Sequence, residues 1–108
     1  MINMKQMMQQ AQLMQERMQE LQEKLKDIYV EGESGGGMVK VEMSCSGDVR
    51  SIKIDHSVVS ADDTETLEDL VLAALNNTTE IKDERIKAET AAMMESLGLP
   101  ADAQLPGM

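Results

Sequence analysis

The sequence predicts an α+β fold in which a long helix, a three-stranded antiparallel meander and a second long helix follow one another (αβββα). Three patterns predict it: an apolar heptad repeat up to residue 28, alternating apolar and polar residues with glycine turns up to about residue 55, and a helical apolar stripe from about residue 62. The 108 residues suit one domain, which we place at 1–97. We expect residues 98–108 to form a flexible tail, because Gly98, Pro100 and Pro106 end the helix.

The first predicted helix covers residues 3–26, which contain no Gly or Pro. Its apolar positions alternate in steps of three and four: Met4, Met7, Ala11, Met14, Met18, Leu21, Leu25 and Ile28. A helix of about 25 residues is roughly 37 Å long, whereas a typical strand spans only about 20 Å. The helix must therefore overhang the sheet. We expect residues 18–28 to build the core, and we predict that Met4, Met7, Ala11 and Met14 meet a partner, most simply a second copy of the chain.

The three strands are predicted at residues 28–33, 38–45 and 49–55. In the second strand, alternation places Val39, Val41, Met43 and Cys45 on one face; in the third, Ile52 and Ile54 should face the core. The glycine-rich loop at 32–37 could suggest a phosphate cradle. It lacks the Gly-Lys-Ser/Thr ending and does not lead from a strand into a helix, so a hairpin turn is favoured.

The second helix is predicted at residues 62–97, because Asp62 and Glu65 have the spacing of a capping box. Its apolar stripe comprises Leu67, Leu70, Val71, Ala74, Leu75, Thr78 and Ile81. Beyond Ile81 the stripe meets Arg85. We therefore expect the rest of this helix to protrude from the core.

The residues with catalytic potential are few. Cys45 and His56 are the only cysteine and the only histidine, and the acidic pairs at 62–63 and 68–69 lack the spacing of a metal loop. We expect no enzyme activity, no metal site, no cofactor and no small-molecule substrate. The sequence contains neither a signal-peptide pattern nor an apolar run of membrane-spanning length, so a cytoplasmic protein without membrane contact is expected.

Charge is distributed unevenly along the chain. The formal net charge is −10, which opposes binding to a polyanion at long range. Residues 1–26, however, carry four basic and three acidic side chains, whereas the remaining 82 residues carry six basic and seventeen acidic ones. The first helix is therefore the segment that could lie against nucleic acid.

Several segments together resemble the YbaB/EbfC family of bacterial nucleoid-associated proteins. They are Gly-Glu-Ser-Gly-Gly-Gly-Met-Val-Lys-Val at 32–41, the turn at Gly47, Ile-Lys-Ile-Asp at 52–55, Asp-Asp at 62–63, Leu-Glu-Asp-Leu-Val at 67–71, Ala74 and Asn76. The chain departs from the family pattern at His56, where Pro is frequent, and at Asn77-Thr78, where Asp-Ala is frequent. The resemblance implies an αβββα protomer, a homodimer with protruding helical arms, and binding of duplex DNA in the nucleoid with little sequence specificity.

Under this hypothesis, phosphate contacts come from basic and amide side chains on the two helices. The candidates are Lys5, Gln9, Gln12 and Arg17 on the first helix and Lys82, Arg85 and Lys87 on the second. An ordinary solvated face is the alternative, and nearby carboxylates favour intrahelical pairing for the second group; Lys24 is expected to pair with Glu20. A rival interpretation is a protein-interaction module whose Met/Gln-rich helix docks a protein partner, and the net charge favours it.

Overall fold

The computed structural model describes residues 3–99 and measures 72 × 21 × 18 Å along its principal axes. The elements are α1 (Met4–Leu25), β1 (Tyr29–Ser34), β2 (Val39–Ser44), β3 (Val49–Ile54), a single 3-10 turn (His56–Val58) and α2 (Thr64–Ser96). The predicted αβββα order is confirmed, and each bound lies within two residues of its expected position. From residue 100 onward, the tail predicted at 98–108 lies outside the described residues.

The helix ends follow local hydrogen bonding. Asn3 caps α1 by accepting from the Lys5 backbone N–H at 2.9 Å. The prediction that Asp62 starts α2 was wrong by one residue, because Asp63 accepts from both the backbone N–H and the hydroxyl of Thr66. At the other end, Gly98 has φ 75° and the Leu99 N–H donates to the Met94 carbonyl at 2.9 Å, which is a Schellman ending.

The sheet is an antiparallel meander in the order β1-β2-β3, with α2 packed across β1 and β2. As predicted, Val39, Val41, Met43 and Cys45 are buried. The closest approach of helix and sheet is at Gly32, where a Cβ would lie 2.7 Å from the Thr78 backbone nitrogen. Glycine at this position therefore sets the distance between the two layers.

An apolar cluster joins α1 and α2 to the end of the sheet that carries the turn between β2 and β3. Leu21 and Leu25 of α1 pack with Val30 and Cys45, and Ile86 and Met93 of α2 lie against them. Further along, Met14 and Leu97 line one groove, so the helices run antiparallel. Helix α2 extends beyond the sheet after Ile81, as expected. One flank of this extension, which includes Ile86 and Met93, packs against α1 and differs from the stripe that faces the sheet.

Strand β3 shows a second departure from expectation. Val39 pairs with Ile54 and Val41 with Ile52, so both isoleucines lie on the helix-facing side of the sheet, as predicted. Yet Val49, Ile52 and Ile54 remain 46%, 44% and 40% exposed. The expectation that Ile52 and Ile54 belong to the core was wrong, because α2 is wide enough to cover β1 and β2 only.

Candidate nucleic-acid interface

The N-terminal part of α1 extends past the end of α2. Met4 and Met7 are 76% and 53% exposed, and Ala11 is exposed as well. Met14 is half-buried, because it shares a groove of about 450 Å³ with the end of α2. The groove is lined by Met7, Gln10, Ala11, Leu13, Met14, Leu97 and Leu99. Three of the four residues predicted to meet a partner are thus accessible, while Met14 is partly occupied within the chain.

The polar candidates on α1 divide into two groups. Lys5, Gln9 and Gln12 are exposed, and their spacing of four and three residues places them on one helix face, opposite the methionine seam. Among the described residues, no carboxylate lies within 4 Å of the Lys5 ammonium. Around the helix axis, Arg17 lies about a third of a turn from this face, and its guanidinium contacts the Glu20 carboxylate at 3.0 Å. The structure therefore brings Lys5, Gln9 and Gln12 together and separates Arg17 from them.

The basic candidates on α2 are each paired with a carboxylate of the same helix. Lys82 contacts Asp83 at 3.4 Å, Arg85 contacts Glu89 at 3.1 Å, and Lys87 contacts Glu84 at 3.9 Å. Such pairs neutralise much of the local positive potential, although exposed pairs stay exchangeable in water. These three cations are therefore less available for phosphate than Lys5.

Glu89 lies at the centre of the contact between the helices. Lys24 donates to it at 2.9 Å from α1, so the expectation that Lys24 pairs with Glu20 was wrong. Hydrogen bonds from Lys24 and then Arg85 hold the pKa of the Glu89 carboxyl below its ordinary value. Lys24 and Arg85 thus help to hold the two helices together.

Two cations that sequence reasoning did not select stand out in the structure. Lys40 of β2 and Lys53 of β3 are direct cross-strand partners on the sheet face that α2 leaves open, and both are exposed. Alternation in β2 does place Lys40 on the outer face. Its pairing with Lys53, however, depends on the strand register, which is a non-local property.

Potential catalytic and metal-binding side chains are dispersed. Cys45 is buried, and burial raises the pKa of its thiol, which disfavours the nucleophilic thiolate. His56 is exposed in the 3-10 turn. Within residues 3–99, no three His, Cys, Asp or Glu side chains are grouped so that they could hold a metal ion. Neither α1 nor α2 contains an apolar stretch long enough to span a membrane.

The match to a family model decides the class of this protein. Residues 1–97 match the model of the YbaB/EbfC DNA-binding family. The chain belongs to the YbaB/EbfC family. This family is one of nucleoid-associated DNA-binding proteins and not of enzymes.

Relatives and a solved structure agree with this assignment. The YbaB/EbfC chain is 47% identical over 100 residues to a nucleoid-associated protein of Bordetella avium, covering 93% of this chain and 92% of that one. It is 44% identical over 104 residues to a nucleoid-associated protein of Rhodospirillum rubrum, covering 96% and 97%. The crystal structure of an uncharacterized protein, HP0035 from Helicobacter pylori, superposes with a TM-score of 0.73 at 28% identity, covering 87% of this chain and 99% of that one.

Proposed function

We propose that this YbaB/EbfC protein binds duplex DNA as a homodimer with little sequence specificity, and that it acts in the cytoplasmic nucleoid on nucleoid organisation or gene expression. The observation that carries the proposal is the family match, which covers residues 1–97. The exposed face of Lys5, Gln9 and Gln12 supports it, because ammonium and amide groups can donate hydrogen bonds to phosphate oxygens.

The electrostatics imply modest affinity. With a net charge of −10, DNA is repelled at long range, and most cations of the helices already contact carboxylates. Few condensed counterions are released by so few phosphate contacts, so the dependence of affinity on salt should be shallow. A dimer doubles the contacts on one duplex and raises the overall affinity by linking weak interactions.

The uncovered face of β3 supports self-association. Leu70 and Asn77 face β1, since the Leu70 carbonyl accepts from Ser34 and the Asn77 amide donates to the Glu33 carbonyl. Leu75 and its neighbour Leu72 therefore lie on the flank of α2 that looks toward β3. Leu72 is 59% exposed. This flank and β3 together form an open apolar surface, which we call the β3 face: Val49, Ile52, Ile54, Leu72 and Leu75.

The area of the β3 face suits a second copy of the chain. Its most exposed side chains, those of Val49, Ile52, Ile54 and Leu72, leave roughly 350 Å² of accessible surface per copy, taking about 170 to 200 Å² for a fully exposed aliphatic residue. Two copies then bury about 700 Å² of apolar surface, or roughly 1,200 Å² in total if about 60% of the interface is apolar. That total reaches the range of specific protein interfaces.

Fluorescence anisotropy with a labelled duplex of mixed sequence at low salt tests DNA binding. We expect saturable binding in the micromolar range and similar affinity for unrelated duplexes. Charge reversal at Lys5 and Arg17 should weaken retention of DNA while light scattering still reports the dimer. Absence of binding up to high micromolar protein would reject the proposal. In that case the protein-interaction module remains, with the groove between α1 and the end of α2 as its docking surface.

Light scattering tests the homodimer separately. We call the N-terminal part of α1, residues 4–14, the α1 arm. A variant with Ile52→Glu and Ile54→Glu places charges on the β3 face, and a matched variant with Met4→Glu and Met7→Glu places the same charges on the α1 arm. We expect the first variant to be monomeric and the second to keep the dimer mass. If the Met4/Met7 variant were monomeric and the Ile52/Ile54 variant dimeric, the interface would be assigned to the α1 arm. A monomer mass for the unmodified chain at micromolar concentration would refute the dimer.

A further inference from the structure

Charge on the open face of the sheet is segregated by strand. On β1, the outward side chains include Glu31 and Glu33. On β3, they include Arg50 and Lys53, and the six residues of this strand contain no acid. The central strand contributes Lys40 beside Lys53 and Glu42 beside Ser51. In a protein with a net charge of −10, the open face is thus acidic along β1, mixed along β2 and basic along the edge strand β3.

Within the part of the chain that the structure describes, Lys40 and Lys53 contact no carboxylate within 4 Å, unlike most of the other cations. Seven of the ten Lys and Arg side chains contact a carboxylate within 4 Å. Among the described residues, the exceptions are Lys5, Lys40 and Lys53. Direct partners in an antiparallel pair have Cβ atoms about 5 Å apart, and like charges at such positions destabilise the pairing. Glu33 is the cross-strand partner of Lys40 on its other side, whereas Lys53 lies on the edge strand with Lys40 as its only strand partner. An added anion would therefore stabilise the Lys40–Lys53 pair, most of all at Lys53.

Arg50 extends the same edge. Its guanidinium lies over the Tyr29 ring, 4.5 Å from the centroid, and contacts Glu42 at 3.1 Å. The two contacts hold the side chain in one orientation, while 60% of its surface stays accessible. Stacked arginines of this kind keep free N–H donors for phosphate oxygens. The β2–β3 half of the open face therefore carries three cations, together with the Glu42 carboxylate, on a rigid, hydrogen-bonded sheet.

We propose that Lys40, Lys53 and Arg50 bind the phosphate backbone of duplex DNA across the open face of the sheet, in addition to any contact made by the α1 arm. The inference rests on the proposed DNA-binding function and adds a surface to it. The site is flat and open, which suits a polyanion that lies across it, whereas a small anion requires enclosure. Contact with phosphates carries no sequence information, in keeping with binding of low specificity.

The β3 face and the proposed DNA site lie on opposite sides of the same strand. Ile52 and Ile54 alternate with Ser51 and Lys53 along β3, so self-association through one side leaves the other side exposed. A homodimer would then carry two such sites, one on each copy. The alternative occupant of the Lys40–Lys53 pair is an acidic segment of the second copy, and the experiment below separates the two.

The test compares two double variants with the same loss of charge. Lys40→Gln with Lys53→Gln removes the proposed site. Lys24→Gln with Lys26→Gln removes two exposed lysines of α1 that are not candidate phosphate contacts and that contact Glu89 and Glu23. This control also frees two carboxylates, so it overestimates the effect of bulk charge. Anisotropy with a mixed-sequence duplex is recorded between 50 and 300 mM NaCl, about the range over which phosphate contacts are resolved.

We expect the Lys40/Lys53 variant to bind DNA about 10- to 100-fold more weakly than the unmodified chain near 0.1 M salt, with a log–log salt slope smaller in magnitude by about 2 per bound chain. The control should stay within about threefold. Equal losses in both variants, or no loss in the first, would overturn the inference while leaving DNA binding intact. No binding by the unmodified chain would refute the proposed function and the inference together. A fall to monomer mass for the Lys40/Lys53 variant alone would assign the lysines to the second copy.

Discussion

Gly32 is the position at which the two layers of the fold come closest, and replacing it with Ala tests the packing directly. An ideal Cβ there would lie 2.7 Å from both the backbone nitrogen and the Cα of Thr78. These are backbone atoms of a buried helical turn, so no side chain can rotate away. Helix α2 would have to move off β1 by close to 1 Å to restore ordinary contact.

That movement strains three contacts at once. Ser34 donates to the Leu70 carbonyl at 2.6 Å, Asn77 donates to the Glu33 carbonyl at 2.9 Å, and Ala74 packs on the valines of β2. Overpacking a well-filled interior costs about 1–3 kcal/mol, occasionally more. The lower backbone entropy of Ala in the unfolded chain offsets about 0.4–1 kcal/mol. We expect a net loss of about 1–2 kcal/mol, or about 4–16 °C in Tm for a domain of this size.

Thermal and urea unfolding followed by circular dichroism, at one fixed protein concentration, measures this change. Gly36→Asn is the matched control, because Gly36 has φ 66° with no atom within 4 Å of its Cβ position, and Asn tolerates that backbone conformation. The control should lose less than about 1 kcal/mol. A Gly32→Ala chain as stable as the unmodified protein, or more stable, would show that the layers do not meet as described.

Four further outcomes are expected. Because the folded-state pKa of Glu89 lies below its ordinary value of 4.5, its contribution to stability is present above that pH and is lost as pH falls through the folded pKa; Glu89→Gln should cost about 1–2 kcal/mol at neutral pH and flatten the acid side of the stability profile. Asp63→Ala removes the cap of α2 and should lower the urea concentration at the midpoint of unfolding. Cys45 should react with Ellman's reagent far more slowly in the folded than in the denatured chain, and equal rates would contradict its burial. Added NaCl should weaken DNA binding in anisotropy but strengthen the dimer in light scattering, because it screens both phosphate contacts and the repulsion between two copies of charge −10; a parallel trend would be inconsistent with this account.

Local pattern was enough to predict the elements. The 3-4 spacing from Met4 to Ile28 has the period of a helix, and alternation through Val39, Val41 and Met43 has the period of a strand. Both periods belong to the backbone conformation itself, so they can be seen without knowing what packs against the element. The exposed lysine and glutamines of the α1 arm follow from the same helical geometry, although their role in DNA binding remains a proposal.

Non-local pairing explains the errors. The partner of Lys24 is Glu89, which lies 65 residues away, while the nearby Glu20 contacts Arg17 instead. The pairing of Lys40 with Lys53 likewise depends on a register across a turn. Neither pairing could be predicted from helical or strand periodicity, because each depends on how separate elements pack together.

The sequence by itself determined the αβββα order and the apolar faces of the helices and of β2, because these depend on residues close together in the chain. Only the tertiary structure decided which apolar faces are covered. The first half of α2 covers only β1 and β2, and its second half packs against α1. Ile52 and Ile54 therefore remain exposed, although their alternation is that of a core strand. Burial depends on the width and placement of the neighbouring element, and a chain's own periodicity carries no measure of either.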